Sequence, residues 1–439
     1  MFRYQNQYIF LIFACSIFFG CSANKRLARN VSKTFEQSAV IKKYQVGFAL
    51  FNLDERKMIF EKDADKYFTP ASNTKLYTFF ASLKMLPEEM PALKYVERSD
   101  SLIFWGTGDP SFLQFAIKDQ SAYQFLKASD KKLFFAPGRY SGSFYGEGWS
   151  WDDYNEYYQP EITELPMMDN MVTSTYQSAN KINILPKVFA HCFEADSTKK
   201  TGNFRVIRDY STNHFRYPLV TIKPEYNQQT PYKTSLQTTV EILADTLRKN
   251  IGVVKMRLPV DVKTLTGAKR DSVLKHMMLP SDNFIAEHLL LVCSDQLGDT
   301  LSTTKAIEHV KSKYLSFLPD KVKWVDGSGL SRQNLFTPRD NIYLLDSIYH
   351  LVNNRDKLFN MLPAGGKSGT LKNAYPKTEH PFVFGKTGSL GGVHNQSGFV
   401  LTKKGKTYIY AFMNNDFIIP TAEVRAEMVR IITSIHENF

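Results

Sequence analysis

The stretch Pro70-Ala71-Ser72-Asn73-Thr74-Lys75-Leu76 decides how the rest of this chain is read. Pro70 fixes φ at a helix-compatible value and has no N–H to leave unpaired, and Leu76–Leu83 continues as a mostly apolar run, so a helix is expected to start here. Ser72 and Lys75 lie three residues apart and leave the same face of the first turn. A hydroxyl beside an amine at an electropositive helix end makes a nucleophile–base pair and favours a developing anion. Ser-x-x-Lys is common by chance, so its meaning rests on what surrounds it.

Immediately before it, Tyr44–Asn52 alternates Val46, Phe48 and Leu50 inward, and Lys57–Glu61 follows after a turn at Asp54-Glu55-Arg56, which reads as a β-hairpin. From Glu88 to Val262 short aromatic strands (Ser101–Trp105, Lys132–Phe135) alternate with turn-rich segments, and Thr239–Asn250 reads as one helix. Gly106-Thr107-Gly108-Asp109-Pro110 matches no phosphate-loop pattern and reads as a tight turn. Gly148-Trp149-Ser150-Trp151-Asp152-Asp153 and Tyr154–Tyr158 offer either a binding face or a seam between domains. After Val262 helices return: Ser272–Met278, a break at Pro280-Ser281-Asp282-Asn283, the apolar Phe284–Leu297, and Pro338–Val352 beyond the loop Asp326–Arg332. The chain closes with strands Phe382–Thr387, Asn395–Leu401 and Thr407–Met413 and a helix over Ala422–His436. The expected fold is α+β: an antiparallel sheet covered by helices and assembled from both chain ends. Residues 21–87 and 263–439 would form that domain, and 88–262 a large β-rich insertion.

The chain has 439 residues, 43% hydrophobic and 22% charged, an ordinary globular composition that excludes a disordered or many-span membrane protein. Its formal net charge is +12, yet no Lys/Arg cluster interleaves with aromatics, so no nucleic-acid partner is expected. At the N-terminus, Arg3, the apolar run Tyr8–Phe19 and Gly20-Cys21 followed by polar residues resemble a bacterial lipoprotein signal. Residues 1–20 would then be removed and Cys21 lipidated, giving an exported, periplasmic chain with membrane contact through that anchor. Phe18 stands where a small aliphatic is usual, and plain secretion is the alternative. Cys192 and Cys293 could pair in an oxidising compartment, although Cys293 lies in an apolar run that favours a buried thiol. The histidines show no metal-ligand spacing, so no metal is expected.

Three short motifs fall in order along the chain: Ser72-x-x-Lys75, Ser281-Asp282-Asn283 and Lys386-Thr387-Gly388. Singly, the second is a helix N-cap and the third a strand end. Each stands at the end of an element, so all three can converge on one cleft. Lys367-Ser368-Gly369 also fits the third pattern, but it follows Ala364-Gly365-Gly366, a poor strand, whereas Lys386 follows Phe382-Val383-Phe384.

This trio is the known signature of penicillin-binding proteins and class A β-lactamases. The chain resembles the low-molecular-mass class C penicillin-binding proteins, the D-alanyl-D-alanine carboxypeptidase/endopeptidase family with a β-lactamase/transpeptidase-like fold. Phe68–Leu76, Gly108-Asp109-Pro110, Gly148–Asp153, Ser281–Leu289, Asp326–Arg332 with Thr337-Pro338, Gly369-Thr370-Leu371 and Gly385–Leu390 carry the likeness.

The resemblance implies that Ser72 attacks a D-Ala-D-Ala peptide bond or a β-lactam and becomes acylated, with Lys75 taking its proton. It makes Ser281 a relay to the leaving amine and Asn283 a holder of Lys75 and the substrate amide. Lys386 and Thr387, with Gly388 and Ser389, would bind the terminal carboxylate, and backbone N–H groups of Ser72 and Ser389 would form an oxyanion hole. No cofactor is implied; the partners are peptidoglycan stem peptides and β-lactams. The oligomeric state is left open. Two other readings share the motifs: a β-lactamase, and an inactive peptidoglycan-binding envelope lipoprotein. The insertion is shorter than in long family members, which leaves a third subdomain open.

Overall fold

The computed structural model describes residues 24–178 and 180–438, and its contacts divide the chain into two compact units. The first comprises the chain up to Leu76, Phe317–Lys323 and Asn334–Phe439; the second comprises Tyr77–Ser316 and Trp324–Gln333. The expected signal peptide and Cys21 lie outside the described residues.

The first unit is built on a five-stranded sheet in the order Val383–Leu390, Val393–Leu401, Thr407–Asn415, Gln45–Asn52, Lys57–Lys62. Every neighbouring pair is antiparallel, so the expected sheet drawn from both chain ends is present. The register sets Phe48 opposite Phe412 and Lys386 opposite Ser397. The two strands Val393–Leu401 and Thr407–Asn415 are buried along almost their whole length, because helices cover both faces.

Leu27, Val31 and Phe35 recur every fourth residue on the helix 24–37 and meet Val424, Met428, Ile431 and Ile435 of the last helix, Thr421–Asn438. Phe35, Phe48 and Phe412 close this core with ring centroids 5.0 to 5.5 Å apart. Each such side chain contributes about 1.5–3 kcal/mol by burial. Pro338–Val352 packs on the sheet as well; Thr337 caps it by accepting from the Asp340 N–H, Pro338 takes the first turn, and Asn353 ends it in a left-handed conformation.

The second unit contains a mixed five-stranded sheet in the order Ile251–Val253, Lys132–Phe135, Ser101–Gly106, Glu89–Glu97, Lys263–Lys269. Two smaller three-stranded sheets accompany it. The Gly106–Pro110 segment, expected to be a tight turn, instead runs out of the strand ending at Gly106 with no backbone bond among the described residues closing a turn; Gly108 stands at φ +83° and its N–H donates to the Glu164 carbonyl. The helix Asn283–Asp295 is buried on every side from Phe284 onward. At its end Asp295 accepts from Arg139 at 2.7 Å and pairs with Lys94 at 3.3 Å, so the buried carboxylate is compensated. Cys293 and Cys192 are both free thiols.

Candidate active site

Ser72 does not sit on the α-helix itself. Ala71–Thr74 forms a 3₁₀ turn, and the α-helix begins at Lys75 and runs to Met85. Ala71 is held at φ +47°, an uncommon backbone for a residue with a Cβ. Thr74 Oγ1 donates to the Ala71 carbonyl at 2.8 Å and steadies this turn. The tighter winding keeps the expected pairing of side chains, since i and i+3 eclipse in a 3₁₀ turn. Lys75 Nζ donates to Ser72 Oγ at 3.1 Å, and Lys75 is fully buried.

The edge strand Val383–Leu390 brings the third motif to this turn. A Cβ placed on Gly388 would stand 2.5 Å from the Pro70 carbonyl oxygen and 2.8 Å from the Ser72 nitrogen, so only a glycine lets the strand lie this close. Asn395 on the next strand donates to the Thr69 carbonyl at 2.8 Å and pins the approach from the other side. Lys386 is fully buried, and its Nζ donates to the Thr387 carbonyl at 2.6 Å. Burial, and then repulsion from the neighbouring Lys75, which disfavours charging both lysines at once, hold its pKa well below the ordinary lysine value.

Thr387 Oγ1 donates to Thr370 Oγ1 at 2.7 Å, which places the Gly369-Thr370-Leu371 segment beside the motif. The other lysine pattern, Lys367-Ser368-Gly369, runs into a short 3₁₀ turn, Gly369–Leu371, and is not on a strand. The inner half of the edge strand is covered, with Gly385 N–H donated to Pro363 and Ala364 bridged to Phe384. Beyond it, among the described residues, no strand pairs along the outer side of Lys386–Leu390.

The second motif belongs to the other compact unit. Ser281 is held at φ +66°, Asp282 caps the buried helix by accepting from the Ile285 N–H at 2.8 Å, and Asn283 is the first helical residue. The N-cap role thus falls to Asp282, leaving Ser281 and Asn283 on either side of it. Asn283 Nδ2 donates to the Tyr158 carbonyl at 2.9 Å.

Behind this helix start, Glu287 accepts from the N–H groups of Gly327 and Ser328 at 3.0 and 2.7 Å. Asp326 accepts from Gly329, Ser331 and the Trp149 indole. The two buried carboxyls organise the Asp326–Ser331 loop. Desolvation, and then the Asp326 charge, push the Glu287 carboxyl up to about 8.

Sequence reasoning gave no role to Glu287, Thr370 or His394, although the first two lie within segments that carry the family likeness. His394 Nδ1 shares a hydrogen bond with Ser389 Oγ at 2.7 Å, and its burial pushes its pKa down to about 4. It lies opposite Ser389 in the hairpin, a position that register alone would have flagged. Among the described residues no cluster of acidic, histidine and cysteine side chains is arranged to hold a metal ion.

The chain is similar to the D-alanyl-D-alanine carboxypeptidase DacB of Haemophilus influenzae, at 24% identity over 88% of each chain. It is also similar to the penicillin-sensitive carboxypeptidase A of Dictyostelium discoideum, at 23% identity over 78% of this chain and 76% of that one. The crystal structure of penicillin binding protein 4 (dacB) from Haemophilus influenzae superposes with a TM-score of 0.70 at 21% identity, over 92% of this chain and 98% of that one. The same protein complexed with a β-lactam gives a TM-score of 0.68 at 18% identity, over 93% and 99%. The model of the D-Ala-D-Ala carboxypeptidase 3 (S13) family matches residues 27–435, nearly the whole chain, and the protein belongs to that family of serine peptidases.

Proposed function

We propose that the chain hydrolyses D-Ala-D-Ala-type bonds of peptidoglycan stem peptides through an acyl-enzyme on Ser72, and that β-lactams acylate the same oxygen. The observation that carries this is the 3.1 Å hydrogen bond between Lys75 Nζ and Ser72 Oγ, in a member of this family. Ser72 Oγ attacks the carbonyl carbon and Lys75 takes its proton. The oxyanion settles on the backbone N–H groups of Ser72 and Ser389, a contribution of about 3 kcal/mol per donor in comparable sites. Collapse expels the D-alanine amine, which receives a proton through Ser281, and water then frees the enzyme. Lys386 and Thr387 hold the terminal carboxylate against the edge strand, and an anion there offsets the repulsion between the two lysines. Asn283 orients the substrate amide.

The left-handed backbones at Ala71 and Ser281, beside the nucleophile and at the relay, support this assignment. We further assign residues 21–87 and 263–439 to a catalytic domain and 88–262 to an insertion within it. Export with lipidation at Cys21 completes the reading; no described helix is long and apolar enough to cross a membrane. The decisive experiment incubates the protein with penicillin, muropeptide monomers and cross-linked dimers and reads masses. A penicillin adduct on Ser72, with loss of one alanine from monomers or cleavage of dimers, is expected. Full activity in Ser72→Ala would overturn the proposal.

A further inference from the structure

Elsewhere on the second unit, three strands lie side by side in the order Asn227–Pro231, Met171–Ser178, Lys181–Leu185. The register sets Gln229, Thr173 and Leu185 in one row and Asn227, Thr175 and Asn183 in the next. Directly opposed residues share a face of a sheet, so these six side chains form one surface. All six are exposed or half-buried, and none is charged. In a chain with net charge +12 and 22% charged residues, an uncharged exposed sheet face calls for a reason.

A groove of about 910 Å³ lies over it, rimmed by Phe115, Tyr157 and Phe204. Phe115 is 69% exposed and Tyr157 64%. The charged residues among its lining are Arg205 and Glu156, which neutralise each other as an ion pair. The rim is held by side chains already committed to backbone groups: Gln228 to Val206, and Asn155 to Arg208.

Aromatic faces beside amides and hydroxyls, with no net charge, suit a pyranose ring. Its axial C–H face packs on an aromatic ring, and its hydroxyls and acetamide exchange hydrogen bonds with Asn, Gln and Thr. An anionic ligand would find no unpaired cation in the lining, and an apolar helix would find a polar floor.

We propose that this groove binds the glycan strand of peptidoglycan as an uncharged N-acetylhexosamine oligosaccharide; this rests on the substrate reading above. The chain itself links the two sites: Tyr157 rims the groove, and the next residue, Tyr158, accepts the hydrogen bond from Asn283. Glycan seated in the groove would hold a pendant stem peptide near that segment.

The test titrates the full chain with the tetramer of N-acetylglucosamine and with peptide-free peptidoglycan strands whose freed lactyl carboxyls are capped as methylamides, so that both probes are uncharged. Penicillin acylation is measured on the same samples. The parent is expected to bind both probes saturably. Phe115→Ala/Gln229→Ala is expected to bind at least tenfold more weakly while its acylation rate stays within twofold. Both side chains are exposed, and Gln229→Ala alone provides a milder variant should the pair fold poorly. Failure of the parent to bind peptide-free strands, or equal binding by parent and variants, overturns the groove assignment. So does displacement of the glycan by an apolar peptide or an anionic vesicle but not by free sugar. A parent that penicillin does not acylate overturns the substrate reading instead, whichever way the sugar titration falls.

Discussion

Replacing Gly388 by alanine tests the proposed active site without removing any reacting group. The added methyl would sit 2.5 Å from the Pro70 carbonyl oxygen, 2.8 Å from the Ser72 nitrogen and 2.9 Å from the Asn73 nitrogen. All three are backbone atoms, so no side chain can swing aside. Reaching an ordinary contact of 3.4 Å from 2.5 Å requires the strand and the Ser72 turn to part by about 0.9 Å. That gap opens between the nucleophile's backbone and the strand that carries Lys386 and Ser389. Displacement of about 1 Å between reacting groups costs on the order of 10²-fold in rate. Overpacking of this kind costs about 1–3 kcal/mol of stability.

Stopped-flow acylation by a fluorescent penicillin should therefore slow about 10²-fold in Gly388→Ala, with the melting temperature lowered by only a few degrees. Gly405→Ala, where a Cβ meets nothing within 4 Å, controls for loss of a glycine as such. Its own left-handed backbone makes it slightly less stable but leaves acylation unchanged. Parental acylation by Gly388→Ala would refute the claim that close approach of this strand builds the site.

Three further outcomes follow from the titrating groups. Glu287 is raised from 4.5 to about 8, so between those values the folded chain holds a proton that the unfolded chain has lost, and its contribution to stability falls as pH rises. Glu287→Gln should flatten that decline when melting temperature is measured from pH 5 to 8. Lys386, lowered by burial and by Lys75, should take up a proton when a carboxylate arrives. Calorimetry of a D-Ala-D-Ala peptide binding to Ser72→Ala, repeated over a pH series in buffers of different ionisation enthalpy, should show net uptake that Lys386→Gln abolishes. Burial pushes the Cys293 thiol up to about 12, so iodoacetamide at pH 8 should label Cys192 in the native protein and Cys293 only after denaturation, as read by peptide mass.

What the sequence made legible was local periodicity and short motifs. The alternation of Val46, Phe48 and Leu50 marked an inner strand of the sheet, and Thr337-Pro338 marked a helix start, because each signal is complete within a few residues. Glu89–Glu97 was illegible as a strand because Pro91 argues against one. Here Pro91 sits opposite Thr266 beside a register shift, where the ladder tolerates a missing donor. Thr303–Tyr314 was passed over although Ser302 caps it; its buried stripe is only Ala306, Ile307 and Val310, too thin to stand out among lysines.

The site divides in the same way. Ser72 and Lys75 were readable because a single turn joins them. Glu287 and its loop are forty residues apart in sequence and leave no local trace, whereas His394 meets Ser389 five residues away across a hairpin whose register had to be known first. Gly388 is the instructive exception. Its partners Pro70 and Ser72 stand more than three hundred residues away, yet the contact is written in one position, since a backbone approaching backbone this closely admits no side chain. A glycine inside an otherwise good strand is therefore legible as an approach by something unseen, and the Lys-Thr-Gly motif records a packing constraint as much as a binding one.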